Sequence, residues 1–315
     1  MVIDARRSAL GAALATAALL LGTVAVAPLA SAGIETGRTS FPLNSSLSGV
    51  GVDPDDGTVY VQEFVAPARV HKVQGGVVTA TLSLTGGPGR LAYDATRNRI
   101  YVTQQTESRV LAIDATTMSL VGTVSVGGTP VGIEVDAVSG KVGVALNQTG
   151  QLVVLDGPTM ATLATVSAGS GAIYLAIAPG GDTIFVSNQA NTVTRHQAPS
   201  YAASGFFGAR APNEMVIDAA GSRLYLGTQS EGVVVVDTGT LARIGTVALG
   251  GRALDVTLAG GGSRVVAAMS DQGYLAEIDT TTLRLTGVVG KIPQPVFLAT
   301  NPANDHVFAA GPATG

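Results

Sequence analysis

The chain has 315 residues, and 46% of them are hydrophobic, which is enough for one large buried core. Its formal net charge of −4 and its lack of a Lys/Arg cluster argue against a nucleic-acid-binding protein. Because the chain contains no cysteine, disulfides, thiolate catalysis and cysteine-ligated metals are excluded.

Residues 1–32 are predicted to be a secretory signal peptide. Arg6 and Arg7 precede an apolar stretch that ends at Ala30-Ser31-Ala32, a small-x-small site of the kind that signal peptidase cuts. The alternative is an uncleaved membrane anchor, because the apolar stretch approaches the length that spans a bilayer. We expect cleavage before Gly33, a secreted or cell-surface location, and no membrane span after cleavage.

A short strand-like motif returns every 40 to 42 residues along the rest of the chain. Its third position is aromatic in most copies and falls at Tyr60, Tyr101, Gly143, Phe185, Tyr225, Val266 and Phe308. Such narrow spacing indicates one supersecondary unit that is repeated seven times.

Each unit is predicted to contain four short strands. In the second unit, turn-forming residues separate apolar segments at 91–93, 99–104, 109–113 and 120–126. No segment after the signal shows a helical apolar period with caps. Four strands in about 41 residues are typical of a propeller blade. We therefore predict an all-β fold: a seven-bladed β-propeller of four-stranded antiparallel blades.

Residues 33–315 are predicted to form this single β-propeller domain, which we expect to be a monomer. The last unit is short, so residues 34–47 are predicted to complete it, closing the ring by pairing of N- and C-terminal strands. One strand of this unit is then unaccounted for, which leaves two alternatives: a last blade with three strands, or a truncated chain. The predicted units lie near 49–89, 90–130, 131–171, 172–212, 213–253, 254–294 and 295–315.

Aspartates recur at the starts of the predicted turns. A carboxylate there accepts hydrogen bonds from backbone N–H groups nearby, so a structural role explains these acids better than ligand binding. Residues 53–57 look faintly like a calcium loop, but Phe64 stands where such a loop needs a glutamate. The repeated acids are Asp53, Asp94, Asp136 and Asp218 before the second strands, and Asp114, Asp156, Asp237 and Asp279 after the third strands.

Two second strands read Tyr101-Val102-Thr103-Gln104 and Phe185-Val186-Ser187-Asn188. With the Val-x-x-Asp, Gly-Thr-Val and Gly-Gly-x-Pro elements that follow them, the repeats resemble those of the YVTN-repeat β-propellers, the YncE-like group of secreted and cell-surface bacterial proteins. The resemblance covers residues 48–312 and implies the propeller fold. It implies no fixed set of catalytic residues.

No catalytic residues are predicted. His71, His196 and His306 lie in different units, without a His-x-His or His-x-x-x-His pair, and we interpret each as a lone strand or surface histidine. A serine nucleophile elbow and a phosphate-binding loop are also missing from the sequence. A lyase centre built on histidine and glutamate is therefore not expected.

The first strand of each unit is expected to line a central channel. Apolar columns on these strands are predicted to pack between blades, whereas the alternate columns vary from unit to unit. Two interpretations stay open: a ligand site, or a solvated lining whose charges neutralise one another. The variable columns place five candidate residues at the channel: Arg90, Glu134, Tyr174, Glu214 and Asp255.

The first functional hypothesis is a secreted, non-enzymatic binding or interaction scaffold. Its partner would be a protein, a peptide or a cell-envelope ligand that meets the channel mouth and the loops at 86–90, 129–132, 209–214 and 250–255. The alternative is a metal-assisted hydrolase of the lactonase type, with Glu134, Glu214 and Asp255 as ligands of a divalent cation, the one cofactor considered. A third hypothesis, quinone-dependent dehydrogenation, lacks a set of site residues in this sequence, which has no tryptophan.

Overall fold

A computed structural model describes the chain at residues 2–4, 24–28, 39–41, 43, 46–290, 292 and 294–311. The regular structure of these residues is antiparallel β-sheet, apart from a short 3-10 helix at Gly260–Gly262. Across the same residues there is no helix with the length and apolar character needed to traverse a bilayer.

Six sheets of four antiparallel strands follow one another along the chain, and each is a propeller blade. Every blade is a meander, since neighbouring strands in the sheet are also neighbours in sequence. Three short strands precede them: β1 (Val2–Asp4), β2 (Val24–Pro28) and β3 (Thr39–Phe41). Blade 1 contains β4 (Leu47–Val52), β5 (Val59–Glu63), β6 (Arg69–Gln74) and β7 (Val77–Ser83). Blade 2 contains β8 (Leu91–Asp94), β9 (Arg99–Gln104), β10 (Arg109–Asp114) and β11 (Ser119–Ser125). Blade 3 contains β12 (Pro130–Val135), β13 (Lys141–Leu146), β14 (Gln151–Asp156) and β15 (Ala161–Ser167). Blade 4 contains β16 (Ala172–Ile177), β17 (Thr183–Asn188), β18 (Thr192–Gln197) and β19 (Ala202–Gly208). Blade 5 contains β20 (Pro212–Ile217), β21 (Arg223–Thr228), β22 (Val233–Asp237) and β23 (Arg243–Val247). Blade 6 contains β24 (Ala253–Ala259), β25 (Arg264–Met269), β26 (Tyr274–Asp279) and β27 (Arg284–Gly290).

The prediction of seven four-stranded blades is wrong, because six sheets have four strands. The last repeat supplies only two strands, β28 (Phe297–Asn301) and β29 (His306–Ala310), and β2 is the third strand of their sheet. We call this three-stranded sheet the closing sheet. Its inner strand, β28, contacts the inner strands of blades 1 and 6, so it fills the space between them.

The segment that pairs with the C-terminal strand also differs from the prediction. Residues 34–47 are predicted to complete the last unit, but β2 lies at 24–28, inside the predicted signal peptide. Within 34–47, Thr39–Phe41 pairs with Val2–Asp4 instead, and residues 34–38, 42 and 44–45 lie outside the described part of the chain. The physical reason is that a strand edge pairs through backbone groups, which many extended segments can satisfy. Signal cleavage stays a prediction.

Hydrophobic clusters lie between adjacent blades, as the apolar columns predict. Leu91 of blade 2, for example, belongs to one buried cluster with Tyr60 and Val70 of blade 1. The repeated aromatic position of the motif is a core position, since Tyr101 is completely buried. Truncating such a side chain to alanine typically costs about 3–5 kcal/mol, so the motif is a packing feature.

The repeated aspartates hold turns, as predicted. Asp114 accepts hydrogen bonds from the backbone N–H and the hydroxyl of Thr117, at 2.8 and 2.9 Å. The pair Asp237 and Thr240 repeats this arrangement at 2.7 and 2.8 Å. Because the donors favour the charged carboxylate, they lower the pKa of both Asp114 and Asp237.

Candidate binding site in the central channel

The inner strands of the six blades and β28 contact one another in a closed ring around the channel. Four of them carry candidate side chains: Glu134 on β12, Tyr174 on β16, Glu214 on β20 and Asp255 on β24. Arg90 comes directly before β8. The ring thus brings all five sequence-predicted residues to one channel, although about 40 residues separate successive members of the set.

Arg90 crosses the channel. It forms an ion pair with Glu214, which belongs to blade 5 on the far side of the ring, and the two side chains are only 17% and 15% exposed. The guanidinium carbon lies 4.5 Å from the ring centroid of Tyr174 and 4.7 Å from that of Phe297. An arginine between two aromatic faces gains cation–π attraction in addition to the ion pair. Burial lowers the pKa of Arg90, opposed by Tyr174, Asp255 and Glu134, but a guanidinium stays charged.

Phe297 is the site residue that the sequence-based set omits. It occupies the same column of the repeat as Arg90, so its position was visible in the register. An apolar side chain carries no chemical signal of its own, and only the structure shows that it covers the guanidinium.

Glycines in the same column leave room for the closely packed inner strands. A Cβ on Gly49 would lie 2.8 Å from the backbone N of Leu91, and a Cβ on Gly132 would collide with the carbonyl oxygen of Ile173. The glycines are therefore required by strand packing. They also leave Arg90, between them in ring order, the space to extend across the channel.

Asp255 is fixed by backbone donors at the level of Arg90. Its two carboxylate oxygens accept hydrogen bonds of 2.7 Å each, from the N–H of Val256 and from the N–H of Leu298 in the closing sheet. Burial nevertheless raises the pKa of Asp255 to about 6, because desolvation outweighs the two donors and the attraction of Arg90.

Glu134 lies two residues further along its inner strand than the column that contains Arg90 and Asp255. It has no hydrogen bond or ion pair with any residue that the structure describes. The Glu134 side chain is exposed to the channel, which the closed ring of inner strands surrounds. Desolvation by the surrounding protein raises the pKa of Glu134 to about 8; nearby Asp255 adds to the increase, and Arg90 opposes it.

Two cavities meet at Arg90. The larger, which we call the mouth cavity, has a volume of about 380 Å³ and is bordered by Leu47, Phe64 and Val296 among others. The smaller, the channel cavity, has a volume of about 140 Å³ and contains the three carboxylates. Ser48, Arg90 and Phe297 line both.

Ser48 has an unsatisfied hydroxyl at this junction. Its side chain is only 4% exposed, and its Oγ has no hydrogen-bond partner among the residues that the structure describes. A buried hydroxyl without a partner costs about 1–3 kcal/mol, which a ligand or a water molecule that binds there would recover.

The three carboxylates do not form a metal-binding group. Among the residues that the structure describes, no three His, Asp or Glu side chains come close enough together to hold a metal ion. Arg90 pairs with one of the three candidate ligands, Glu214, and so introduces a positive charge among them. The calcium-like segment is a turn in which Asp53 and Asp56 accept backbone hydrogen bonds.

The histidines are buried structural residues. His196 makes contacts of 2.9 Å with the carbonyl oxygen of Tyr201 and 3.0 Å with the hydroxyl of Thr194. His71 contacts the hydroxyl of Thr81 at 2.8 Å, and burial lowers its pKa. One pairing was not predicted from the sequence. Glu63 Oε2 lies 3.4 Å from His71 Nε2, because the hairpin of β5 and β6 brings the two side chains together.

Comparisons with known proteins support the fold. No family model matches the chain, and no curated protein matches it. Chains of many solved structures do match, and one is described as Kuenenia stuttgartiensis hydrazine synthase, with a TM-score of 0.73 and 14% sequence identity. The match covers 84% of this chain and 92% of that chain. At such low identity the similarity shows the β-propeller fold and nothing about activity.

Proposed function

We propose that this protein is a non-enzymatic β-propeller that binds a ligand at the mouth of its central channel. The observation that carries the proposal is the mouth cavity of about 380 Å³, which lies directly against the Arg90–Glu214 pair. Ligand pockets are typically concave and mostly apolar, with a few convergent polar groups. The mouth cavity fits that description, because Phe64, Leu47 and Phe297 border it together with Ser48 and Arg90.

The chemistry at the cavity favours binding over catalysis. A serine nucleophile needs a base within hydrogen-bond reach, and the hydroxyl of Ser48 has no such partner. Arg90 is already engaged by Glu214 and by two aromatic rings. The metal-assisted hydrolase has no observation in its favour, since the three carboxylates do not form a group that could hold a metal ion.

The cellular setting of the proposal comes from the sequence. The signal-like residues 1–32 and the resemblance to YVTN-repeat propellers support a secreted or cell-surface protein. Its partner would then be a protein, a peptide or a component of the cell envelope. These assignments belong to the proposal.

A site-specific cross-linking experiment tests where the ligand binds. A photoreactive phenylalanine analogue replaces Phe64, whose side chain is 56% exposed beside the mouth cavity. The matched control carries the analogue at Phe206, an exposed phenylalanine of β19, the last strand of blade 4. Both variants are incubated with an envelope fraction of the source cells and irradiated.

We expect one saturable adduct from position 64 that excess unlabelled protein competes away, and no such adduct from position 206. Adducts from position 206 alone would move the binding surface to the circumference of the propeller. A lack of specific adducts at both positions would overturn the proposed function.

A further inference from the structure

We propose that the channel binds an aliphatic primary ammonium group, as in an alkylamine or a lysine side chain, with its charge beside Glu134 and its alkyl chain in the mouth cavity. This inference rests on the proposed function and assigns the chemical class of its ligand. It follows from an imbalance of charge, an unsatisfied hydroxyl and the distribution of apolar side chains.

The channel cavity has too few positive groups for its carboxylates. Glu134, Glu214 and Asp255 line it, and Arg90 is the single basic side chain in that lining. Glu214 pairs with Arg90, and Asp255 receives two backbone hydrogen bonds. Glu134 alone has no partner among the described residues. When Glu134 is ionised, its charge is uncompensated and attracts a cation, because water in the channel screens charge less than bulk water does.

The hydroxyl of Ser48 is an independent sign of a polar ligand at the same place. It is buried, lacks a hydrogen-bond partner and borders both cavities. A hydroxyl oxygen can accept a hydrogen bond from an ammonium group, which has three donors and no acceptor. Ser48 would therefore lie beside the path of an ammonium group from the mouth cavity towards Glu134.

An ammonium group fits this donor set better than a metal ion. Divalent cations such as Ca²⁺ need six to eight oxygen ligands at short range, and the carboxylates here are not grouped in that way. An ammonium group needs only two or three acceptors at ordinary hydrogen-bond distance.

The mouth cavity suits the rest of the ligand. Leu47, Phe64, Val296 and Phe297 give it an apolar wall against which an alkyl chain loses its contact with water. Arg90 lies at the border of the two cavities, but its charge is offset by Glu214. The remaining charge of the channel is therefore negative whenever Asp255 or Glu134 is ionised.

Binding should displace a proton. Because the pKa of Glu134 is raised to about 8, the protonated form of this carboxyl is favoured compared with an ordinary glutamate. Arg90, Asp255, Glu214 and Tyr174 are the other charged or titratable groups that face the channel. An ammonium group favours the ionised form of Glu134, so it lowers the pKa of that carboxyl and a proton leaves to solvent.

Calorimetric titration of the full chain with n-pentylamine at pH 7 tests the proposal. Repeating it in two buffers of different ionisation enthalpy gives the number of protons released. We expect binding with release of a substantial fraction of one proton. Glu134→Gln should abolish that release and weaken binding about tenfold or more, because a charge-assisted hydrogen bond is lost. The matched control Asp55→Asn removes an exposed carboxylate of the 53–57 turn and should bind like wild type.

Further ligands decide the chemical class and its source. Equal affinity for 1-pentanol would show that the site recognises the alkyl chain alone, and preference for pentanoate would show recognition by Arg90; either result overturns the proposal. Tighter binding of Nα-acetyl-lysine amide than of pentylamine would identify a protein side chain as the source of the ammonium group. Tighter binding of pentylamine would identify a free amine as the source. If no amine binds while position 64 still cross-links a ligand, the ammonium class fails and the proposed function stands.

Discussion

The carboxyl groups of this propeller lie in two regions, the outer turns and the central channel, which shift the carboxyl pKa in opposite directions. In the outer turns, Asp114 and Asp237 receive hydrogen bonds from residues three positions along the chain, and these donors lower their pKa. In the channel, desolvation by the surrounding protein raises the pKa of Glu134 and Asp255. The turn carboxylates are stable as anions, whereas those in the channel are short of positive partners.

The difference follows from where the donors come from. A turn supplies its own N–H and hydroxyl groups locally, so every blade can repeat the same arrangement. A channel side chain depends on partners from other blades, such as Arg90 for Glu214. An acid that recurs at the same turn of several blades therefore has a structural role, and an acid at one position of the ring is a candidate for binding.

The largest predicted effect comes from removing Arg90, the one basic side chain among the described residues that line the channel cavity. Arg90→Ala leaves Glu214 without its partner, so the free energy of unfolding should fall by about 3 kcal/mol. Urea denaturation measures this change. The control is Arg252→Ala, which breaks an exposed pair with Asp271 and should cost less than about 1 kcal/mol. Equal losses in the two variants would erase the distinction between channel and surface charges.

A buried turn aspartate should give the next largest effect. Asp136 accepts hydrogen bonds from the N–H and the hydroxyl of Ser139, and from the N–H of Gly180 in the next blade. Asp136→Ala should lower the free energy of unfolding by about 2 kcal/mol, since buried donors lose their acceptor. Urea titrations of the variant and the wild type measure this loss. A loss below about 0.5 kcal/mol, as at an ordinary surface position, would contradict the structural role of Asp136.

Glu134 should make the protein less stable as pH rises. Its pKa is about 8 in the folded chain against an ordinary 4.5, so between these values the unfolded chain ionises while the folded chain keeps its proton. Glu134→Gln should therefore raise Tm at pH 8 by about 2–4 °C, a modest increase because channel water screens part of the effect. At pH 4 the substitution should leave Tm unchanged, because the carboxyl is largely protonated in both the folded and the unfolded chain. Thermal melts across this range check the difference. A wild-type Tm that is flat from pH 5 to 8 would contradict the raised pKa.

The smallest effect should appear at an exposed turn. The pKa of Asp114 is lowered, so its contribution to stability is present above the ordinary pKa and is lost as pH falls through the lower folded value. Asp114→Asn should destabilise the chain slightly at pH 6 and have no effect near pH 2. Comparing the acid-unfolding midpoints of variant and wild type tests the sign. A larger effect at pH 2 than at pH 6 would contradict the prediction that the ionised form of Asp114 stabilises the folded chain.

Much of this architecture could be predicted from local signals. The spacing of Tyr60, Tyr101 and the later copies of the motif predicted β-propeller blades, and the register of the inner strands predicted which residues face the channel. Both rest on a repeat that is encoded within each unit of about 41 residues.

What the sequence did not predict depends on contacts between distant segments. The number of four-stranded blades was overestimated because the last repeat supplies only β28 and β29 to its sheet. The pairing of β2 with β29 was missed because no local pattern specifies the partner of an open strand edge. The ion pair across the channel and the role of Phe297 were also missed, since they depend on which blades lie opposite each other.

The most direct test of the account is a titration of the glutamate side chains by carboxyl-detected NMR of the full chain. We expect Glu134 to titrate with a midpoint near 8, and to shift to lower pH when n-pentylamine is added. A Glu134 midpoint near the ordinary 4.5, unchanged by the amine, would contradict the claim that Glu134 lacks a positive partner in the channel and binds an ammonium group.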